Sequence, residues 1–248
     1  MTANTQQPEA HDVAGVVNLY KPVGRSSAAY VYRLRGIFGI RKVGHGGTLD
    51  PFADGVLLAC LGRATRLFDS LSGLPKHYRT TLRLGVTNAT FDTERPFEPV
   101  PDAQPAARAA VEQAAARLVG RIEQVPPVFS AVKIRGRPSY ALAKSGCPVE
   151  RPAKSVHVYR LEVLDYAWPL LRLDIACGRG TYIRAIARDL GAALGCGACC
   201  ETLTRLAVGP FRTDDAVNLD TAPPVAVRAA LIPLEEVARR LAESPPSP

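Results

Sequence analysis

The stretch Leu170–Cys177, LLRLDIAC, alternates Leu171, Leu173 and Ile175 with Arg172 and Asp174. A period of two sends successive side chains to opposite faces, so this stretch reads as a strand with one face in a core. Residues 156–166 read as a second strand just before it, and residues 79–86 as another, with Leu82, Leu84 and Val86 on one face. Helical signals lie before, between and after these strands. Ser26 and Ser27 can cap a helix reaching Phe38, with Val31, Leu34, Ile37 and Phe38 inward and Gly39 as its stop. Residues 105–119 are Ala-rich between Pro105 and Gly120, residues 182–194 precede Gly195, and residues 234–241 form a short last helix. Strands and helices are interspersed without a regular βαβ rhythm, and several strands follow one another. The expected fold class is α+β, with a mixed, largely antiparallel sheet and flanking helices.

A chain of 248 residues can bury a substantial core as one large domain or two smaller ones. Order is expected from Gly15, after a polar and disordered stretch at residues 1–13, and the tail ESPPSP is expected to fray. The formal net charge of +8 suits a polyanionic partner, although a basic soluble protein needs none. No segment approaches the roughly 20 apolar residues of a membrane span, and the N-terminus lacks the pattern of a secretory signal. A cytoplasmic location is the default expectation. Cys196 and Cys199 have C-x-x-C spacing, but Cys60, Cys147 and Cys177 are scattered and supply no second pair. Small buried thiols at the end of a helix account for them, and no metal is expected.

Residues 124–151, QVPPVFSAVKIRGRPSYALAKSGCPVER, interleave Lys133, Arg135, Arg137, Lys144 and Arg151 with Phe129 and Tyr140. Cations and aromatic rings together suit a flap that closes on nucleic acid through phosphate contacts and base stacking. A solvated surface loop is the alternative of equal weight.

Residues 42–57, KVGHGGTLDPFADGVL, place Gly44, Gly46, Gly47 and His45 just before Asp50, which Pro51 follows. The glycines permit positive φ and close approach of a ligand, and Pro51 holds Asp50 extended. Taken alone, an Asp so placed is only weakly suggestive, and an Asx-turn is its commoner use. Residues 178–190, GRGTYIRAIARDL, put Tyr182 and Arg184 at a helix start, where Arg184 can hold a carboxylate through two parallel bonds or lie on the surface. Residues 76–92 carry Tyr78 near the start of a strand and Asp92 just past its end.

In these pieces the sequence resembles the TruB family of tRNA pseudouridine-55 synthases. The matching pieces are GVVNLYKPVGRSS (15–27), KVGHGGTLDPFADGVL (42–57), HYR followed by LGV (77–86), VPPVFSAVKIRGRPSYALAKSG (125–146) and CGRGTYIRAIARDLGAALGCGACCETLTRLAVGPF (177–211). They stand in the family's order and spacing and span about residues 15–212. The resemblance implies a pseudouridine synthase fold with a thumb insertion at about 124–151. It implies isomerisation of a uridine in the T-loop of tRNA, with no cofactor and no metal. It gives Asp50 as nucleophile, Tyr78 as the base-stacking tyrosine and candidate proton acceptor, and Arg184 as the arginine paired with the aspartate. Asp92 matches the second acid of that ion network and Tyr182 a further pocket tyrosine. His45 matches the histidine that fills the space of the flipped uridine, Lys21 a lysine near the pocket, and Leu203 an apolar wall. Lys133, Arg135 and Arg137 belong to the thumb that folds over the T-arm. The family's Thr-x-Thr-x-Asp reads Asn88-Ala89-Thr90-Phe91-Asp92 here.

The expected organisation is a catalytic domain over 14–212 and a short C-terminal extension over 213–248, too short for a full second RNA-binding domain. A monomer without an obligate protein partner is the default. A non-catalytic tRNA-binding or folding factor on the same scaffold is the competing reading. Pure binding would not need an acid in a cleft that must hold phosphates. A glycosidase-like or phosphoryl-transfer enzyme using Asp50 lacks a partner acid or metal cluster.

Overall fold

The computed structural model describes residues 13–129, 133–134, 137–138 and 152–243. The expected disordered N-terminus and frayed tail, and most of the thumb with Arg135, Lys144 and Arg151, lie outside the described residues. The chain forms two compact units: one from the chain up to Leu74 together with the chain from Leu206 onward, the other Pro75–Arg205.

In the first unit, Gly15–Lys21 and Asp54–Leu61 pair antiparallel, from Gly15 opposite Leu61 to Lys21 opposite Gly55. Val43–His45 adds to Asp54–Leu61, with His45 opposite Ala59. Gly15–Lys21 also takes Val217–Asn218 in parallel at Leu19 and Tyr20, and Leu231–Pro233 antiparallel at residues 15–17. Both long strands are covered on two faces. Val17, Leu19, Leu57, Ala59 and Leu61 pack with Tyr30, Val31, Leu34 and Phe38 of the helix Ser27–Phe38, and with Leu219 and Val227. Val16, Val56, Leu58 and Cys60 pack with Leu71, Val208, Phe211 and Val237. Each fully buried large apolar side chain here contributes about 1.5–3 kcal/mol. The helix Ser27–Phe38 begins as expected, with the Ser26 hydroxyl accepting from the Ala29 N–H, and it closes at Gly39 in the left-handed region.

In the second unit, Leu170–Cys177 lies antiparallel between Lys76–Leu84 and Lys154–Ala167, and Gly120–Gln124 forms an edge beside Lys154–Ala167. Ala198–Val208 neighbours Lys76–Leu84 on its other side. The expected alternation holds along Lys76–Leu84, whose Tyr78, Thr80, Leu82 and Leu84 are buried. This strand stops at Leu84 because Gly85 turns the chain at φ 79°, and Val86–Thr87 then pairs with Glu98–Pro99. The Ala-rich helix is shorter than expected, Arg108–Ala116, with Pro105 left outside it. The helix Ile183–Ala193 takes Tyr182 as its N-cap, and the last helix is Leu234–Glu243. Cys196 follows a helix as expected, but Cys199 and Cys200 lie on the strand Ala198–Val208. Burial pushes both of those thiols up to about 12. Among the described residues no helix is long and apolar enough to cross a membrane.

Candidate active site

The first unit carries Lys21, His45 and Asp50. The loop of residues 46–53 is tied down at successive points. Gly46 donates its N–H to the Leu58 carbonyl at 2.8 Å. The Ser27 hydroxyl donates to the Leu49 carbonyl and accepts from the Leu49 N–H, both at 2.9 Å. The Pro51 carbonyl accepts from the Gly24 N–H at 2.7 Å, and Ala53 N–H donates to the Asp50 carbonyl at 3.1 Å. Leu49, Phe52 and Ala53 are buried while Asp50 between them is half-exposed. The loop thus anchors Leu49, Phe52 and Ala53 in the core and leaves Asp50 partly exposed among them, with Thr48 and Pro51 on the surface.

Lys21 is fully buried at the end of Gly15–Lys21. Its ammonium donates to the Pro22 and Arg25 carbonyls at 2.9 Å and to the Pro51 carbonyl at 3.4 Å. A buried cation must be compensated, and these contacts fix the loop beside Asp50. His45 closes the short strand Val43–His45, five residues before Asp50. Tyr20 donates to Asp54 at 2.7 Å. Burial, and then this bond to an anion, push the Tyr20 phenol up to about 12.

The second unit carries Tyr78, Asp92, Tyr182, Arg184 and Leu203. Tyr78 is buried on Lys76–Leu84 and Leu203 on Ala198–Val208. Arg184 donates to the Thr90 carbonyl at 3.0 Å and the Phe129 carbonyl at 2.9 Å, and its guanidinium stands 3.2 Å from the Asp92 carboxylate. Asp92 also accepts from the Glu94 N–H at 2.9 Å. Burial pushes the Lys76 ammonium down to about 8, with Arg205 and Arg179 adding to the effect and Cys177 opposing it. Lys133 and Arg137 lie on a two-stranded hairpin, Lys133–Ile134 with Arg137–Pro138, and Arg135 lies outside the described residues.

A profile described as TruB family pseudouridylate synthase (N terminal domain) matches residues 35–183, more than half of the chain. The chain belongs to the TruB family. A second profile, the tRNA pseudouridylate synthase B C-terminal domain, matches residues 184–237. A tRNA pseudouridine synthase B of Bordetella avium is 42% identical over 226 residues, which cover 90% of this chain and 93% of that protein. One from Dehalococcoides mccartyi is 43% identical over 83% of this chain and 68% of that protein. Among solved structures, a Cbf5-Nop10-Gar1 complex contains a chain that matches with a TM-score of 0.71 at 28% identity. That match covers 95% of this chain and 64% of the other, so this chain spans less than two thirds of that relative.

Against the TruB pattern, Asn88 and Phe91 are the departures noted in the sequence, and both have structural work. Asn88 is buried and donates to the Asp92, Arg95 and Pro96 carbonyls at 2.7, 3.0 and 3.4 Å. Its carbonyl oxygen accepts from the Thr90 N–H and hydroxyl at 3.1 and 3.2 Å. One amide thus organises the turn that aims Asp92 at Arg184. Phe91 takes a positive φ of 55°, and its carbonyl accepts from the Cys200 N–H at 2.9 Å. A residue that sequence reasoning missed is Gln124. It is fully buried; its amide oxygen accepts from the Tyr182 N–H at 2.8 Å and its amide nitrogen donates to the Tyr182 carbonyl at 3.2 Å. This clamp fixes the turn that starts the helix bearing Arg184. In the sequence it stood only as the first residue of the insertion at 124–151, with no pattern to mark the clamp.

Proposed function

We propose that the protein isomerises uridine to pseudouridine in the T-loop of tRNA, at position 55, with Asp50 as the nucleophile. The N1–C1′ glycosidic bond breaks, the uracil turns, a C5–C1′ bond forms, and the proton lost from C5 is balanced by one gained at N1. A carboxylate beside the ribose and base serves as nucleophile in this chemistry, and the enzyme must keep water from the detached base. The single observation that supports the reading best is the anchoring of residues 46–53 through Gly46, Leu49 and Pro51, which holds Asp50 in place while leaving it partly exposed. The names of the relatives support tRNA as substrate.

In this reading Tyr78 stacks on the uracil and accepts the C5 proton, and Arg184, steadied by Asp92, keeps the reacting carboxylate ionised. His45 fills the gap left by the extruded uridine, a step that any chemistry on a base within a folded loop requires. Tyr182 and Leu203 wall the base pocket, and Lys21 holds the loop of Asp50. Lys133, Arg135 and Arg137 bind T-arm phosphates. No cofactor or metal enters the reaction, and the protein works as a cytoplasmic monomer. Incubation with unmodified tRNA transcript, followed by mapping of pseudouridine at nucleotide resolution, tests the reading. Pseudouridine at position 55 is the expected product. Binding without modification would favour the non-catalytic tRNA-binding factor.

A further inference from the structure

Away from the residues assigned above, the second unit holds an open recess of about 420 Å³ lined by Arg121, Ser155, His157, Tyr159, Gly178 and Arg179. We infer that this recess is an RNA phosphodiester subsite, which holds the substrate backbone beside the turn that starts the helix of Arg184. The inference rests on the proposed RNA substrate and adds a binding surface to it.

The lining is built from two strands and a turn. Gly120–Gln124 and Lys154–Ala167 pair so that Arg121 stands opposite His157. The pairing of Lys154–Ala167 with Leu170–Cys177 shifts register between Val158 and Arg160, which leaves Tyr159 as a bulge residue. Bulges re-aim side chains and recur beside active sites. Here the Tyr159 ring stacks on His157, with centroids 4.8 Å apart and planes 28° from parallel. Gly178 lies close against His157 and Tyr159. Its N–H donates to the His157 carbonyl at 2.8 Å, and a Cβ on it would stand 3.2 Å from the Tyr159 hydroxyl. The turn that begins at Gly178 leads through Arg179 and Thr181 to Tyr182.

The chemistry of this lining is that of a phosphate site. Arg121 and Arg179 are exposed guanidiniums, whose planar forks match a phosphate. Ser155 offers a hydroxyl and His157 a ring nitrogen. Among the described residues no carboxylate lines the recess; Glu123, the register partner of Ser155, is not among its walls. The stacked imidazole and phenol give a flat surface suited to a ribose or base next to that phosphate. Arg121 stands three residues before Gln124, the clamp on Tyr182, so the recess borders the reacting centre's support without being part of it.

The test compares wild type with the double variant Arg121→Gln/Arg179→Gln. Binding of an unmodified tRNA transcript is measured over a range of KCl concentrations, alongside kcat at saturating tRNA. The expected result is weaker binding and a log–log salt slope shallower by about 0.7–0.9 for each phosphate no longer neutralised, with kcat unchanged. The charge-conserving Arg121→Lys/Arg179→Lys variant should recover most of the slope, which a mere loss of folding in the glutamine variant would not predict. A slope unchanged in the glutamine variant, or a slope reduced equally in both variants, overturns the inference. A wild-type protein that binds tRNA with this salt dependence yet forms no pseudouridine would reject the proposed function and leave the subsite standing.

Discussion

Arg184 and Asp92 meet at 3.2 Å with side chains only 4% and 1% exposed. Charges taken this far from water are costly, and their attraction repays the cost only with good geometry and further hydrogen bonds. Both are supplied, by the Thr90 and Phe129 carbonyls for Arg184 and by the Glu94 N–H for Asp92. Asp92→Asn should therefore destabilise the fold by on the order of 3 kcal/mol, readable as a lower midpoint in urea unfolding. Arg184→Lys keeps the charge but cannot make the same forked set of bonds, and should cut kcat at least about tenfold. A fully active lysine variant would exclude Arg184 from the ion network of the reaction.

Asp50→Asn removes an anion and almost no volume. Turnover on tRNA should vanish while the dissociation constant stays within a few fold. Residual activity above about a tenth of wild type would reject Asp50 as nucleophile.

Ser27 tests whether the loop must be held for Asp50 to act. Ser27→Ala strips both bonds from the Leu49 peptide and leaves its N–H and carbonyl buried, at a cost of about 1–3 kcal/mol. Lower thermal stability and a reduced kcat at unchanged tRNA affinity are expected. A variant equally destabilised but with wild-type kcat would show that the clamp serves the fold alone.

Lys76 makes stability depend on alkaline pH. Its folded-state value, about 8, lies below the ordinary 10.5, so between these values the unfolded chain holds a proton that the folded chain has shed. Stability should then rise with pH across that window, by on the order of 3 kcal/mol in all. Lys76→Met should flatten this rise and gain stability at pH 7. Denaturant midpoints measured from pH 7 to 10.5 for both proteins check it, and identical slopes would reject the assignment.

The sequence revealed most where one face of an element meets water. Lys76–Leu84 alternates because its other face meets water. Leu170–Cys177 does so only as far as Leu173, since Asp174 on its polar face is buried against His77 and Arg160. Ser26 and Gly39 mark a helix because caps are local chemistry. Asp54–Leu61 showed no period because both of its faces are buried. The strand character of Ala198–Val208 was hidden for another reason: its buried side carries Arg205, while the apolar Leu206 is only partly buried. The loop of Asp50 was legible through its glycines and its Asp-Pro step. Its anchors at Ser27 and Lys21, and the clamp of Gln124 on Tyr182, join residues far apart in the chain, which no local pattern encodes. Asn88 looked like a loss from the family pattern, yet its amide bonds to Thr90, Asp92, Arg95 and Pro96 across the turn.

The pairing of Gly15–Lys21 with Val217–Asn218 and Leu231–Pro233 sets an order of events at the ribosome. Synthesis runs from the N-terminus, so the second unit, contiguous from Pro75 to Arg205, is complete before Phe211, Leu219, Val227 and Val237 have been made. The strand bearing Lys21 must wait, with its edge unsatisfied, for partners about 200 residues downstream. During that interval the helix Ser27–Phe38 already covers one face of GVVNLYK and DGVLLACL, but the places of Val208, Phe211, Leu219, Val227 and Val237 stay open, and this is the stage at which a chaperone would have most to hold.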